Sequence, residues 1–230
     1  FPYTTLFRSN PQIKIEGGDI LVVREDILLI GNGTRTSTQG IDMIIKEYCK
    51  TGEGKKHVIV QQLPESPESF IHLDMVFTLL DKEKAMVYKP LIMNSSPYKT
   101  VHIQIDNDRV VKISSVNGIL GTLKKLGVDL QPAVCGGRAD DWDQEREQWH
   151  SGANFMAVSP GKVLSYARNI NTLDELNKNG FDIVPSRDVI EGKYDINSAK
   201  QCVITIDGSE LPRGGGGPRC MTMPLRRSPV

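Results

Sequence analysis

From Ile13 onward the apolar positions fall into a recurring order of two short strand-like runs, an amphipathic helical stretch and a further strand-like run. The first copy holds "ILVV" (20–23) and "ILLIG" (27–31), joined by the charged turn Arg24-Glu25-Asp26. Both runs are rich in β-branched residues and bounded by turn formers, which predicts strands. In "GIDMIIKEYCK" the residues Ile41, Ile44, Ile45 and Tyr48 recur at helical spacing, which predicts a helix around 39–50 with one face for a sheet. "HVIVQQL" (57–63) closes this copy. A second runs through "HLDMVFTLL" (72–80), "KAMVYKPLI" (84–92), the strand "TVHIQI" (100–105), the helix "NGILGTLKKLG" (117–127) and "VDLQPAV" (128–134). A third has "NFMAVSP" (154–160), a turn at Pro160-Gly161, "KVLSYAR" (162–168), the helix "TLDELNKNG" (172–180) and "FDIVPS" (181–186), with Gly180 where a left-handed C-cap is wanted. "ADDWDQEREQW" (139–149) reads as a solvated charged helix with no part in a site. The order predicts an α/β fold of pseudosymmetric ββαβ modules, about 13–63, 72–134 and 154–186, followed by a C-terminal segment 202–227. The competing description is a set of unrelated segments in one α+β domain.

Composition narrows the function classes. With 230 residues, 39% hydrophobic and 24% charged, the chain can bury a core and carries no signature of disorder. Twenty-eight basic residues against twenty-eight acidic ones provide no field to gather nucleic acid or a membrane surface, which leaves small molecules or proteins as partners. Cys49, Cys135, Cys202 and Cys220 show neither C-x-x-C nor C-x-x-H spacing, so they read as reduced thiols in a cytoplasmic protein, without a metal site or a disulfide framework. No apolar run approaches the roughly 20 residues of a membrane span. "FPYTTLFRS" (1–9) resembles the translation of a sequencing adapter; on that reading native sequence begins near Asn10 or Pro11, with further protein upstream.

Four stretches stand apart from core building. "IEGGD" places Glu16 on an apolar strand before two glycines, and "GNGTRTST" places Arg35 in a polar loop. "IHLDMVF" places His72 and Asp74 at i and i+2 of an apolar strand, which predicts that both face the same way, with Val76, into a lined cavity. "GGGGPRCMTMPLRR" (214–227) places Cys220 after four glycines, whose ordering costs conformational entropy. Singly, each has a plain explanation: a turn-forming glutamate, a surface arginine, a polar strand edge, a small buried thiol. Jointly they make a site. A thiol nucleophile needs a proton-transfer partner, which His72 supplies. Two acids without metal-ligand spacing suit a cationic substrate, because a guanidinium out of water has to meet carboxylates in forked hydrogen bonds. Arg35 then remains for a carboxylate at the other end of an arginine-like ligand.

"IEGGDILVV…ILLIGNGTRTS", "HLDMVFTLLD" and "SELPRGGGGPRCMTMPLRR" together resemble arginine deiminase, of the guanidino-group-modifying superfamily with the pentein fold, and the resemblance covers nearly all of the chain after its first ten residues. It implies a five-module α/β propeller of which about three modules are present here. It also implies a cysteine-dependent hydrolase of L-arginine with no cofactor and no metal; a homo-oligomer is open to the full-length protein. Position by position, Cys220 matches the nucleophile, His72 the general acid and base, Glu16 and Asp74 the guanidinium-binding acids, and Arg35 the ligand of the substrate carboxylate. The family's upstream half supplies one more guanidinium-binding aspartate and one more carboxylate-binding arginine, and residues 1–15 contain no acidic residue, so the site is incomplete and the chain alone is expected to be inactive. A gating arginine precedes the family's cysteine; Arg213 and Arg219 flank the glycines as substrate-binding candidates for that place. The resemblance further implies that the glycine loop closes over substrate and that the cysteine begins the last strand. An amidinotransferase of the same superfamily and a catalytically inactive pentein that binds arginine or a partner are the rival functions.

Overall fold

The computed structural model describes residues 13–226, so the suspected adapter stretch lies outside the described residues. Along the chain run β1 (Ile20–Arg24), β2 (Ile27–Asn32), α1 (Thr38–Cys49), β3 (Lys55–Gln62), β4 (Phe77–Leu79), β5 (Lys84–Val87), α2 (Lys89–Ile92), β6 (Thr100–Asp106) and β7 (Arg109–Val116). There follow α3 (Ile119–Lys125), β8 (Gln131–Val134), α4 (Asp141–Trp149), β9 (Met156–Ser159), β10 (Lys162–Tyr166), α5 (Ile170–Lys178), β11 (Asp182–Pro185), α6 (Ser186–Ile190) and β12 (Cys202–Ile206). The chain divides into two compact units, one from residues up to Leu73 with Ser96–Thr122, the other from Asp74–Ser95 with the chain from Leu123 on.

The first unit is built on a five-stranded sheet in the order β1-β2-β3-β6-β7. β1 and β2 are antiparallel, β2 and β3 parallel, as a strand–helix–strand crossover requires. The connecting helix α1 starts where the Ser37 side chain accepts from the Gly40 N–H at 3.2 Å. It buries Ile41 and Ile45 against Leu28, Ile30, Val58, Ile103 and Ile105. The run "TVHIQI" is a strand as expected, but it is no part of the second module: β6 pairs antiparallel with β3 and β7 with β6, extending the first sheet.

The second unit holds the other two modules. β4 and β5 are antiparallel and β5 pairs in parallel with β8. The third sheet runs β11-β12-β10-β9, so β12, from the C-terminal segment, stands between two strands of the third module. One core joins the two sheets, with Leu80, Met86, Ala133, Phe155, Leu176 and Val203 among its buried members. Gly180 closes α5 with φ +92°, its N–H bonded to Asn177 O at 3.0 Å.

α4 corrects the expectation of a solvated helix. Trp142 and Trp149 are exposed, while Gln144, Glu147 and Gln148 are buried. Glu147 accepts the Asn171 N–H at 3.0 Å, the Thr172 N–H at 2.8 Å and the Thr172 hydroxyl at 2.7 Å. It thus supplies, from a neighbouring helix, the N-terminal cap that Asn169 does not give α5.

Candidate active site

Glu16 lies in extended backbone just before a single turn of 3-10 helix, Gly17–Asp19, rather than within a strand. The loop after β2 clamps that segment: Lys14 O accepts the Ser37 N–H at 3.0 Å, Ser37 Oγ the Lys14 N–H at 3.1 Å, and Thr36 Oγ1 the Glu16 N–H at 3.1 Å. Two of the four sequence motifs therefore converge through backbone bonds. Glu16 Oε2 then meets His72 Nε2 at 2.6 Å, and Glu16 Oε1 meets Arg35 Nη1 at 3.5 Å. With a carboxylate opposite it, Nε2 is the donor. Glu16 and Arg35 line a pocket of about 760 Å³ together with Lys14, Thr34, Glu65 and Glu68.

The strand expected at residues 71–77 is not one. His72 sits in a bend, Leu73–Met75 form a 3-10 turn, and β4 starts only at Phe77. His72 and Asp74 therefore do not share a strand face, and they belong to different compact units. The reason is local. Leu73 gives its N–H to the Asp19 carboxylate at 2.9 Å instead of to a neighbouring strand, and Thr78 Oγ1 donates to Asp74 O at 3.2 Å. Leu73, Asp74, Met75, Val76 and Phe77 are all buried, so the alternation of residue types does not mark two faces.

In the second unit Asp74, nearly inaccessible, accepts from Arg219 Nε at 3.1 Å through Oδ2. Arg213, the other arginine flanking the glycines, pairs instead with Glu210 at the surface. Asn154, fully buried, ties this region together. Its Oδ1 accepts the N–H of Arg219 at 3.0 Å and of Cys220 at 3.3 Å, while its Nδ2 donates to Asp74 O at 3.2 Å. Gly217 is required there: a Cβ at that residue would stand 2.7 Å from the Asn154 Cβ. Cys220 lies in a turn, with its Sγ 4.0 Å from Met75 Sδ, and not at the start of a strand; the last strand among the described residues is β12. Partial burial of the sulfur pushes the Cys220 thiol up and the Asp74 charge pushes it further; the Gly217 backbone, Asn154 and Arg219 act in the opposite direction.

Sequence reasoning missed Asn154. A lone asparagine before an apolar run looks like a turn former, and only its position beside a glycine-rich segment 60-odd residues later, roughly, gives it meaning. Among the described residues no group of three or more His, Cys, Asp and Glu is arranged to hold a metal ion, and no helix is long and apolar enough to cross a membrane.

The family model "Arginine deiminase" matches residues 4–227. The chain belongs to the arginine deiminase family. Arginine deiminases of Staphylococcus aureus strains JH9 and Newman are each 33% identical to it over 220 residues, 94% of this chain and 48% of theirs. The chain thus spans about half the length of the curated relatives it matches. Among solved structures, SxtG, an amidinotransferase from Microseira wollei in the saxitoxin biosynthetic pathway, aligns with a TM-score of 0.54 at 17% identity, over 95% of this chain and 49% of that one. Unliganded AgrE aligns with a TM-score of 0.52 at 16% identity, over 92% and 23%. At such identities the structures speak for the fold alone, a mixed α/β architecture of the pentein type.

Proposed function

We propose that this arginine deiminase family chain carries the nucleophile and the acid–base histidine for hydrolysis of the guanidinium of L-arginine to L-citrulline and ammonia, on a five-module pentein propeller. The observation that carries the reading is the 2.6 Å contact of His72 Nε2 with Glu16 Oε2, which joins two motifs 56 residues apart into one hydrogen-bonded pair. Cys220, as thiolate, attacks the central guanidinium carbon. The C–N bond to one terminal nitrogen breaks, His72 gives that nitrogen a proton, and ammonia leaves an S-alkylthiouronium on the enzyme. His72 then takes a proton from water as it adds to the same carbon, the C–S bond breaks, and citrulline departs with the thiolate regenerated. Asp74 and Glu16 hold the guanidinium, while Arg35 holds the substrate carboxylate. Because burial and Asp74 both oppose ionisation of Cys220, a bound cation that neutralises Asp74 favours the thiolate when it is needed. Arg219, now paired with Asp74, has to yield that carboxylate to substrate.

The amidinotransferase alternative uses the same first half-reaction and an amine in place of water. The test is to combine the chain with the part of the family's length it does not span, taken from a Staphylococcus aureus arginine deiminase, and to assay citrulline. Citrulline formed with wild-type Cys220 and lost in Cys220→Ala supports the reading. Guanidino transfer to an added amine without citrulline would establish the alternative, and arginine binding without either product would show an inactive pentein.

A further inference from the structure

The turn at residues 16–19 reaches His72 and Leu73 through three of its four members. Glu16 Oε2 holds the His72 ring at Nε2, at 2.6 Å. Gly18 lies under the same ring, since a Cβ built there would stand 2.7 Å from His72 Cγ and 2.8 Å from Nδ1. Asp19, fully buried, accepts the Leu73 N–H at 2.9 Å through Oδ1. Strand β2 leaves room for that carboxylate at Gly31, where a Cβ would stand 3.0 Å from Asp19 Cγ and 2.9 Å from Leu73 Cβ. We propose that Asp19 is a positioning residue for the acid–base histidine: its carboxylate pins the backbone directly after His72, and that pin fixes the direction in which His72 presents its ring to Glu16.

The physical case is that Glu16 alone cannot define the imidazole. A single bond to Nε2 leaves the ring free to follow its backbone, and residues 71–73 have no strand neighbour among the described residues to restrain them. Asp19 supplies the second anchor one residue away, and the flat Gly18 surface removes the space for the ring to tilt. An acidic side chain taken fully out of water is costly, and here Oδ1 is committed to the Leu73 amide, next to the histidine. A plain turn former at residue 19 would be exposed and would bond its own turn; Asp19 bonds a residue 54 positions away.

This assignment rests on His72 as the acid–base group, and its test is chosen to need no substrate. In the 230-residue chain, proton NMR at low temperature should show a downfield imidazole N–H of the His72–Glu16 bond, assigned by its loss in His72→Ala and in Glu16→Gln. Asp19→Ala should abolish or broaden it while the ring signals of His57, His102 and His150 stay in place. Asp19→Asn keeps an oxygen acceptor for Leu73 and should restore it. Persistence of the signal in folded Asp19→Ala overturns the proposal, as does its loss in Asp19→Asn to the same extent as in Asp19→Ala. Should Asp19→Ala fail to fold, Gly31→Ala displaces the carboxylate without removing it; an unshifted His72 signal in that variant also overturns the proposal. Absence of citrulline formation would bear on the deiminase reading and leave this result untouched.

Discussion

The two candidate catalytic groups are held in opposite ways. His72 is fixed by acids: Glu16 bonds its ring and Asp19 the next backbone amide, both from one short turn. Cys220 is fixed by a neutral amide, Asn154, which takes two consecutive backbone N–H groups of its turn and leaves the sulfur against Met75 and the field of Asp74. The difference suits the chemistry proposed for each. A proton-transfer group that alternates between two charge states needs a partner that stabilises the cation and keeps one orientation. A thiolate nucleophile needs the reverse: no adjacent anion once substrate is bound, and a backbone that can hand the sulfur to a carbon.

The largest effects should come from removing either group outright. In the combined protein Cys220→Ala is expected to lower citrulline formation by at least about a thousandfold, and His72→Ala to do nearly the same because ammonia is then a poor leaving group. Mass spectrometry of His72→Ala with arginine should reveal the trapped thiouronium on Cys220, which separates attack from proton transfer. Citrulline at the wild-type rate from Cys220→Ala would end the mechanism. Next comes Asn154→Ala, which leaves the Arg219 and Cys220 amides and the Asp74 carbonyl without their shared partner. We expect a loss of about 10- to 100-fold in kcat, from a nucleophile no longer held in attacking geometry, with unfolding free energy lower by about 1–3 kcal/mol. An unchanged kcat would show that Asn154 only braces the fold.

A smaller effect tests the electrostatic half of the contrast. The folded thiol is raised first by burial and then by Asp74, so alkylation of Cys220 by iodoacetamide should rise with pH later than for a free cysteine. Asp74→Asn removes the anion and should move that profile to lower pH. Asn154→Ala removes a group that favours the thiolate and should move it to higher pH. Peptide mapping distinguishes Cys220 from Cys135 and Cys202, both fully buried. A profile unmoved by Asp74→Asn would mean that Asp74 and the sulfur do not sense one another.

Much of this was legible in the chain. Most strand runs and helices of the three modules lie where periodicity and turn residues place them, because those patterns are local; residues 72–76 and 89–92, read as strand, are the exceptions. The order of β11 and β12 was not, since a parallel strand from 202–206 inserted between β10 and β11 leaves no mark on either. The addition of β6 and β7 to the first sheet escaped for the same reason. Glu147 reads as solvent-facing because a polar side chain that caps a neighbouring helix has the same letter as one in water. At the site, Glu16, His72, Arg35 and Cys220 were recognisable as residue types, and Glu16, His72 and Arg35 do meet. The shared face of His72 and Asp74 failed because Asp19 diverts the Leu73 amide, a contact across 54 positions that no local period contains.

The last and smallest expected effect concerns histidines that lack what His72 has. His57 Nδ1 and His102 Nε2 face each other at 3.1 Å across the β3–β6 pair, imidazole against imidazole, with no carboxylate among the described residues bonded to either ring. Burial depresses both. For His57 the Asp26 charge opposes the shift, while Arg24 and Lys55 add to it; for His102, His57 and Lys112 add to it. Each ring thus binds its proton less readily in the fold than in the unfolded chain, where an ordinary histidine titrates near about 6.5. The unfolded state therefore binds more protons through this window, and unfolding free energy rises with pH. The stabilisation is complete above about pH 6.5 and is lost as pH falls through the depressed folded values. Urea midpoints of the 230-residue chain should accordingly fall between about pH 7.5 and 5.5. His102→Gln, which removes one titrating ring and leaves an amide opposite the other, should flatten that fall. An equal slope in wild type and His102→Gln would show that the pair is not the source, and would leave the contrast between a histidine seated on an acid and histidines seated on each other without an energetic consequence.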